Sequence, residues 1–115
     1  MTEMPQMRSH RIDVPREHPA FPGHFPGQPV LPGVVLLGEV LELLLREAPA
    51  ALGSQPHVSA VKFLAPVRPG ASLEIRWSTP GERRLRFEVW RHGEGDPPQG
   101  QLAASGQLEP GEAAP

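Results

Sequence analysis

An α+β domain, with an antiparallel sheet curled around one helix, is predicted by three features of this chain of 115 residues. A single long apolar helical stretch runs from Val34 to Glu47. About five short segments around it alternate apolar and polar residues at period two. The order is strand, loop, buried helix and then about four strands, the arrangement of an α+β domain with an antiparallel sheet.

The elements follow in order. Ser9 to Val14 sets His10, Ile12 and Val14 against Arg11 and Asp13, a short strand. Pro15 to Gly33 cannot be regular structure, because its prolines remove donors and restrict the residue before each. Loops of that length in small domains are usually functional. Val34 to Glu47 is then a helix, ended by Ala48-Pro49. It is apolar nearly all round apart from a narrow row of Glu39, Glu42 and Arg46, which predicts a helix surrounded by protein. Val58 to Leu64 is the next strand, and Ser72 to Ser78 another, with Leu73, Ile75 and Trp77 on one face. A turn at Thr79 to Glu82 leads into Arg84 to Trp90, where Leu85, Phe87 and Val89 oppose Arg84, Arg86, Glu88 and Trp90. His92 to Gly100 reads as a mobile loop. Gln101 to Leu108 is the last strand, with Leu102, Ala104 and Leu108 inward. One domain over residues 1–108 and a loose tail over 109–115 are expected.

Composition narrows the function. Net charge is −2 and aromatic residues make up 5%, a poor match to a nucleic-acid binder. The apolar run is broken by Gly38, Glu39 and Glu42, so no membrane span is expected. The first ten residues lack the apolar centre of a signal peptide, and a cytoplasmic location is the simplest expectation. Zero cysteines exclude disulfides, thiolate metal sites and a cysteine nucleophile. The five histidines show no metal-ligand spacing, so no metal is expected.

The chemistry concentrates in His24 to Gly33 and the helix that follows. An imidazole held on a proline-stiffened loop is placed at little entropic cost. The helix start offers N–H groups without intrahelical partners, and Gly33 lets a carbonyl oxygen approach them. Carboxylates at Glu39 and Glu42 follow within the next turns. A base, an oxyanion donor and an acid suit proton abstraction beside a carbonyl.

The segment His18-Pro-Ala-Phe-Pro-Gly-His-Phe-Pro-Gly-Gln-Pro-Val-Leu-Pro-Gly-Val-Val-Leu-Leu37 resembles the β-hydroxyacyl-acyl-carrier-protein dehydratases of hot-dog fold. Lys62-Phe-Leu-Ala-Pro-Val-Arg-Pro-Gly70 is a second match, with Ala71 where the family has an acid. The resemblance implies that His24 takes the proton next to a thioester and that the Gly33 N–H polarises the thioester carbonyl. The acyl group would then lie against Phe25, Gly33, Val34 and Leu37. It implies no cofactor, an acyl carrier protein with its phosphopantetheine-linked acyl chain as partner, and a homodimer across which a helix carboxylate protonates the departing hydroxyl. The family's acid falls five positions after the second PG glycine, where this chain has Gly38. Glu42, one turn later on the same face, and Glu39, about 100° round the helix, are the candidates to replace it.

Glu42 could equally pair with Arg46 at i+4. His10 and His18 read as hydrogen-bonding surface or loop residues, and His57 and His92 stand at strand ends. Arg84, Arg86 and Trp90 share an outer face that is either solvated or a landing surface for an acidic carrier. Two other functions fit the same residues: an acyl-thioester-binding module without chemistry, and an acyl thioesterase.

Overall fold

The computed structural model describes residues 7–16, 31–47, 56–81, 84–93 and 95–109. Its elements are β1 (Arg8–Asp13), α1 (Gly33–Glu47), β2 (His57–Phe63), β3 (Ser72–Gly81), β4 (Arg84–His92) and β5 (Gln101–Glu109). The strands form one sheet in the order β1-β3-β4-β5-β2, with every neighbouring pair antiparallel. The α+β architecture read from the sequence is therefore present.

The period-two alternation determines which face is covered. Register places Trp77 opposite Phe87, Ile75 opposite Val89 opposite Ala104, and Leu85 opposite Leu108. These side chains are all buried and make one core with Leu36, Val40, Leu43 and Leu44 of α1, spaced i, i+4, i+7 and i+8. Burying each such side chain contributes about 1.5–3 kcal/mol.

Four details differ from the sequence expectation. The helix is not surrounded by this chain: Val34 is 79% exposed, Leu45 is exposed, and Leu37 and Leu41 are half-buried. One five-stranded sheet covers only one side of a helical cylinder. Strand β3 continues to Gly81, past the turn expected from Thr79, because the ladder slips between Ser78 and Gly81 and then resumes with Gly81 opposite Arg84. A second slip pairs Val89 with Ala104 but Trp90 with Leu102, so Leu102 shares the outer face with Trp90 instead of pointing inward. The segment after His92 is tied down by its own turns, with the Asp96 N–H donating to Gly93 O (3.0 Å) and the Gly100 N–H to Pro97 O (2.8 Å). Arg91 adds a bidentate grip on Asp96, at 3.0 and 2.7 Å.

Phe87 lies across Gly106, its partner in the register. A Cβ at Gly106 would stand 2.5 Å from the Phe87 ring and 2.9 Å from the carbonyl oxygen of Ala60. Phe87 is buried and cannot swing outward. Gly106→Ala is expected to lower unfolding stability by about 1–3 kcal/mol, read as an earlier urea midpoint at unchanged slope.

Candidate active site

The start of α1 is fixed from two directions. Pro32 O accepts from both Val35 N and Leu36 N at 3.0 Å, which closes the first turn. Leu31 N donates to Val67 O at 2.7 Å, which ties the helix entry to the loop after β2. The N–H groups of Gly33 and Val34, in the first turn, have no intrahelical acceptor by the geometry of any helix start. They carry the positive end of the helix dipole. Leu31, Gly33 and Leu36 form one wall of a cleft of about 400 Å3, and Phe63 to Val67 form the other. Phe63, 52% exposed, lays its ring over Gly33, where a Cβ would come within 3.0 to 3.2 Å of three ring atoms. An oxyanion or carbonyl oxygen suits such a place.

Of the residues expected to work here, Gly33 lines this cleft. His24, Phe25 and His18 lie outside the described residues. Val34 falls on the open side of α1, Leu37 is half-buried against the core, and Leu36 supplies the cleft wall. Glu42 is exposed on that same open side, one turn beyond Gly38. Among the described residues it makes no ion pair with Arg46. Among the described residues, no atom outside the helix's own turns lies within 4 Å of where a Gly38 Cβ would stand. Glu39 is half-buried and lines a cavity of about 200 Å3 with Ile12, Asp13, Val14, Pro15, Leu31, Leu36 and Leu73. The two carboxylates are neighbours about 60° apart round α1, Glu39 at the edge of the covered side and Glu42 in solvent. Sequence reading took Phe63 only as a strand residue; the alternation Ser59, Val61, Phe63 already put it on the helix side.

Several other charged groups have structural partners. His10 Nδ1 stands 3.6 Å from Glu47 at the end of α1. On the outer face, Glu74 accepts from Arg76 at 2.8 Å, and its Oε1 is 3.0 Å from His92 Nε2. The hydrogen bond from Arg76, helped by His92, holds the Glu74 carboxyl at about 2 against the partial cost of its burial. Arg76 also stacks over Trp90 at 4.6 Å, and the Trp90 indole N–H donates to Glu88 at 3.1 Å. Trp90, expected as a landing residue, is already occupied by this chain's own cation. Arg86 remains exposed, in an outer groove of about 590 Å3 shared with Lys62, Ser78, Ser105 and Gln107.

Comparison with known proteins matches this arrangement. Residues 2–107 fit the sequence profile of the ApeI-like family, described as ApeI dehydratase, and the chain belongs to that family. A 3-hydroxyacyl-[acyl-carrier-protein] dehydratase FabZ from Roseiflexus sp. (strain RS-1) is 32% identical over 101 residues. That match covers 78% of this chain and 65% of the relative, so the chain spans just under two thirds of the relative's length. The dehydratase heterocomplex ApeI:P from Xenorhabdus doucetiae superposes with a TM-score of 0.68 at 24% identity, covering 95% of this chain and 97% of that one. An acyl-CoA hydrolase from Staphylococcus aureus, in complex with butyryl coenzyme A, superposes at 0.61 and 18% identity, covering 89% and 62%. The fold is the hot-dog fold, and it is shared by proteins of different reaction type.

The Glu74 cluster sets a pH dependence. Its carboxyl is held below the free value of 4.5, so it contributes stability that is full above about 4.5 and is lost as pH falls towards 2. Glu74→Gln is expected to lower stability at neutral pH by about 1.5–3 kcal/mol and to flatten the unfolding profile in that acid window, followed by circular dichroism.

Proposed function

We propose that this protein dehydrates (3R)-hydroxyacyl thioesters carried on the phosphopantetheine arm of an acyl carrier protein, acting as a homodimer in fatty-acid or related lipid or polyene synthesis. The observation that supports this reading is the cleft in a chain of the dehydratase family, with a helix start facing an apolar wall at Gly33 and Phe63. The thioester oxygen rests on the Gly33 N–H. His24 removes the proton from the carbon beside the thioester, and the electron pair moves onto that oxygen. The enolate then collapses to the enoyl thioester, and the β-hydroxyl leaves as water with a proton from a carboxylic acid.

That acid is Glu42, delivered across the dimer. It is exposed on the side of α1 left uncovered by this chain, and Gly38 leaves space beside it. Glu39 is half-buried instead and lines a cavity with β1. The dimer is supported by exposed apolar side chains at Val34, Leu45, Val58, Phe63 and Leu64, which lie on the helix and on or just after edge strand β2. The matched Xenorhabdus structure is itself a dehydratase heterocomplex, which makes a related second chain the other pairing to test.

The test is conversion of a (3R)-hydroxybutyryl N-acetylcysteamine thioester to the enoyl product, followed by absorbance. His24→Ala and Glu42→Gln are each expected to lower turnover by about 10²–10⁴-fold, and Glu39→Gln to leave it within about threefold. Full activity in His24→Ala removes the proposal, and loss in Glu39→Gln with retention in Glu42→Gln reassigns the acid. Release of free thiol would identify a thioesterase, and saturable binding without turnover a binding module.

A further inference from the structure

A second groove, of about 610 Å3, opens beside the thioester cleft and shares Leu64, Ala65 and Pro66 with it. Its cationic walls are built by local chemistry. Arg68-Pro69-Gly70-Ala71 is a type II turn: the Ala71 N–H donates to Arg68 O at 3.1 Å, proline occupies the second position, and Gly70 takes φ +80° at the third. The turn is clasped to the end of β1 by Val14 N to Ala71 O (2.8 Å) and Gly70 N to Val14 O (2.9 Å). That clasp brings Arg16 over the turn, where its side chain lies flat on Gly70, 3.2 to 3.3 Å from where a Cβ would stand. The opposite wall is Arg91, Gly93, Asp96 and Gln101.

The three arginines of the groove are not equivalent. Arg91 is spent on Asp96 and on Pro66 O, to which it donates at 2.7 Å, so it fixes the loop and adds little free charge. Arg16 and Arg68 are exposed, and no carboxylate among the described residues pairs with either. Two unspent guanidinium groups thus line one groove and the helix start lines the neighbouring cleft, with the apolar Leu64, Ala65 and Pro66 common to both. A thioester carrier has this pattern: an acyl carbonyl, an uncharged arm, then a phosphate.

We infer that this groove seats the phosphate of the pantetheine arm, with Arg68 and Arg16 as its binding residues. The inference rests on the thioester reading of the neighbouring cleft. It assigns to Arg16 and Arg68 the recognition of a phosphorylated arm as against a bare pantetheine. Guanidinium groups suit this, because their forked donors bind phosphate oxygens in pairs.

The test compares butyramide analogues of phosphopantetheine and of pantetheine, which keep the carbonyl and cannot be turned over, by titration calorimetry on the full chain. The phosphate is expected to tighten binding by about 10- to 100-fold at low salt. Most of that gain should vanish near ~0.5 M salt, where exposed charges are screened. Arg68→Ala and Arg16→Ala should each abolish most of it, Arg68→Lys should keep part, and Arg84→Ala on the far hairpin should keep all. Equal affinity for the two arms in the unaltered protein overturns the inference even if a variant fails to fold, and so does an equal loss in Arg84→Ala. Binding of the pantetheine analogue without a phosphate gain leaves the thioester cleft standing, whereas no binding of either analogue removes both. The corresponding coenzyme A analogue separates the carriers. Affinity equal to the phosphopantetheine analogue supports a single-phosphate site as a carrier protein presents it, and a further gain of about tenfold overturns that assignment in favour of the coenzyme.

Discussion

Three backbone hydrogen bonds hold the functional end of this molecule together. Leu31 to Val67 anchors the helix entry, and the reciprocal pair between Val14 and the residues 70 and 71 anchors the end of β1. All three converge on the segment 64–71, which otherwise has little regular structure. Its other edge is secured where the ladder slips in β5, because Ala103 O accepts from both Leu64 N (2.8 Å) and Ala65 N (3.2 Å). A segment containing two prolines can donate few backbone bonds of its own, so nearly all of its rigidity is borrowed from neighbours. The helix start, the cleft beneath Phe63 and the arginine groove are all referenced to that one loop. A disturbance there would move them together.

The helix and sheet are bound by dispersion and apolar burial, and the outer face by charge. Inside, no buried polar side chain interrupts the packing of α1 on β3, β4 and β5 among the described residues. Outside, Glu74, Arg76, His92, Trp90 and Glu88 form a connected chain of contacts across β3 and β4. Cross-strand pairs of this kind stabilise a sheet modestly and resist acid only while the carboxylates stay ionised.

Much of this was legible in the residues. Period-two alternation in β3 and β4 gave the inward set Leu73, Ile75, Trp77, Leu85, Phe87 and Val89 correctly, since their ladder is unbroken from Ser72 to Ser78 and Leu85 then pairs with the buried Leu108 of β5. In β5 the same logic failed at Leu102, because one slipped residue reverses the face of everything beyond it and leaves no mark in composition. The helix was readable as apolar, but which of its sides the sheet covers depends on a crossing angle that periodicity does not encode. Hence Glu39, at the edge of the covered side, lines a cavity with β1, whereas Glu42, about 60° further round α1, is exposed. The arginine groove was invisible for a related reason: Arg16 and Arg68 are distant in the chain and meet only through the clasp between β1 and the turn.

Gly38 has a physical consequence of its own. Glycine in the interior of a helix forfeits about 1 kcal/mol relative to alanine, and a fold tolerates this where a neighbour needs the room or the backbone needs an unusual angle. Neither applies at this position, which is exposed, helical and unobstructed. A methyl group there would strengthen the isolated chain, so the bare backbone serves nothing in the core. It is a bare stretch of helix backbone, open to whatever meets the outside of α1.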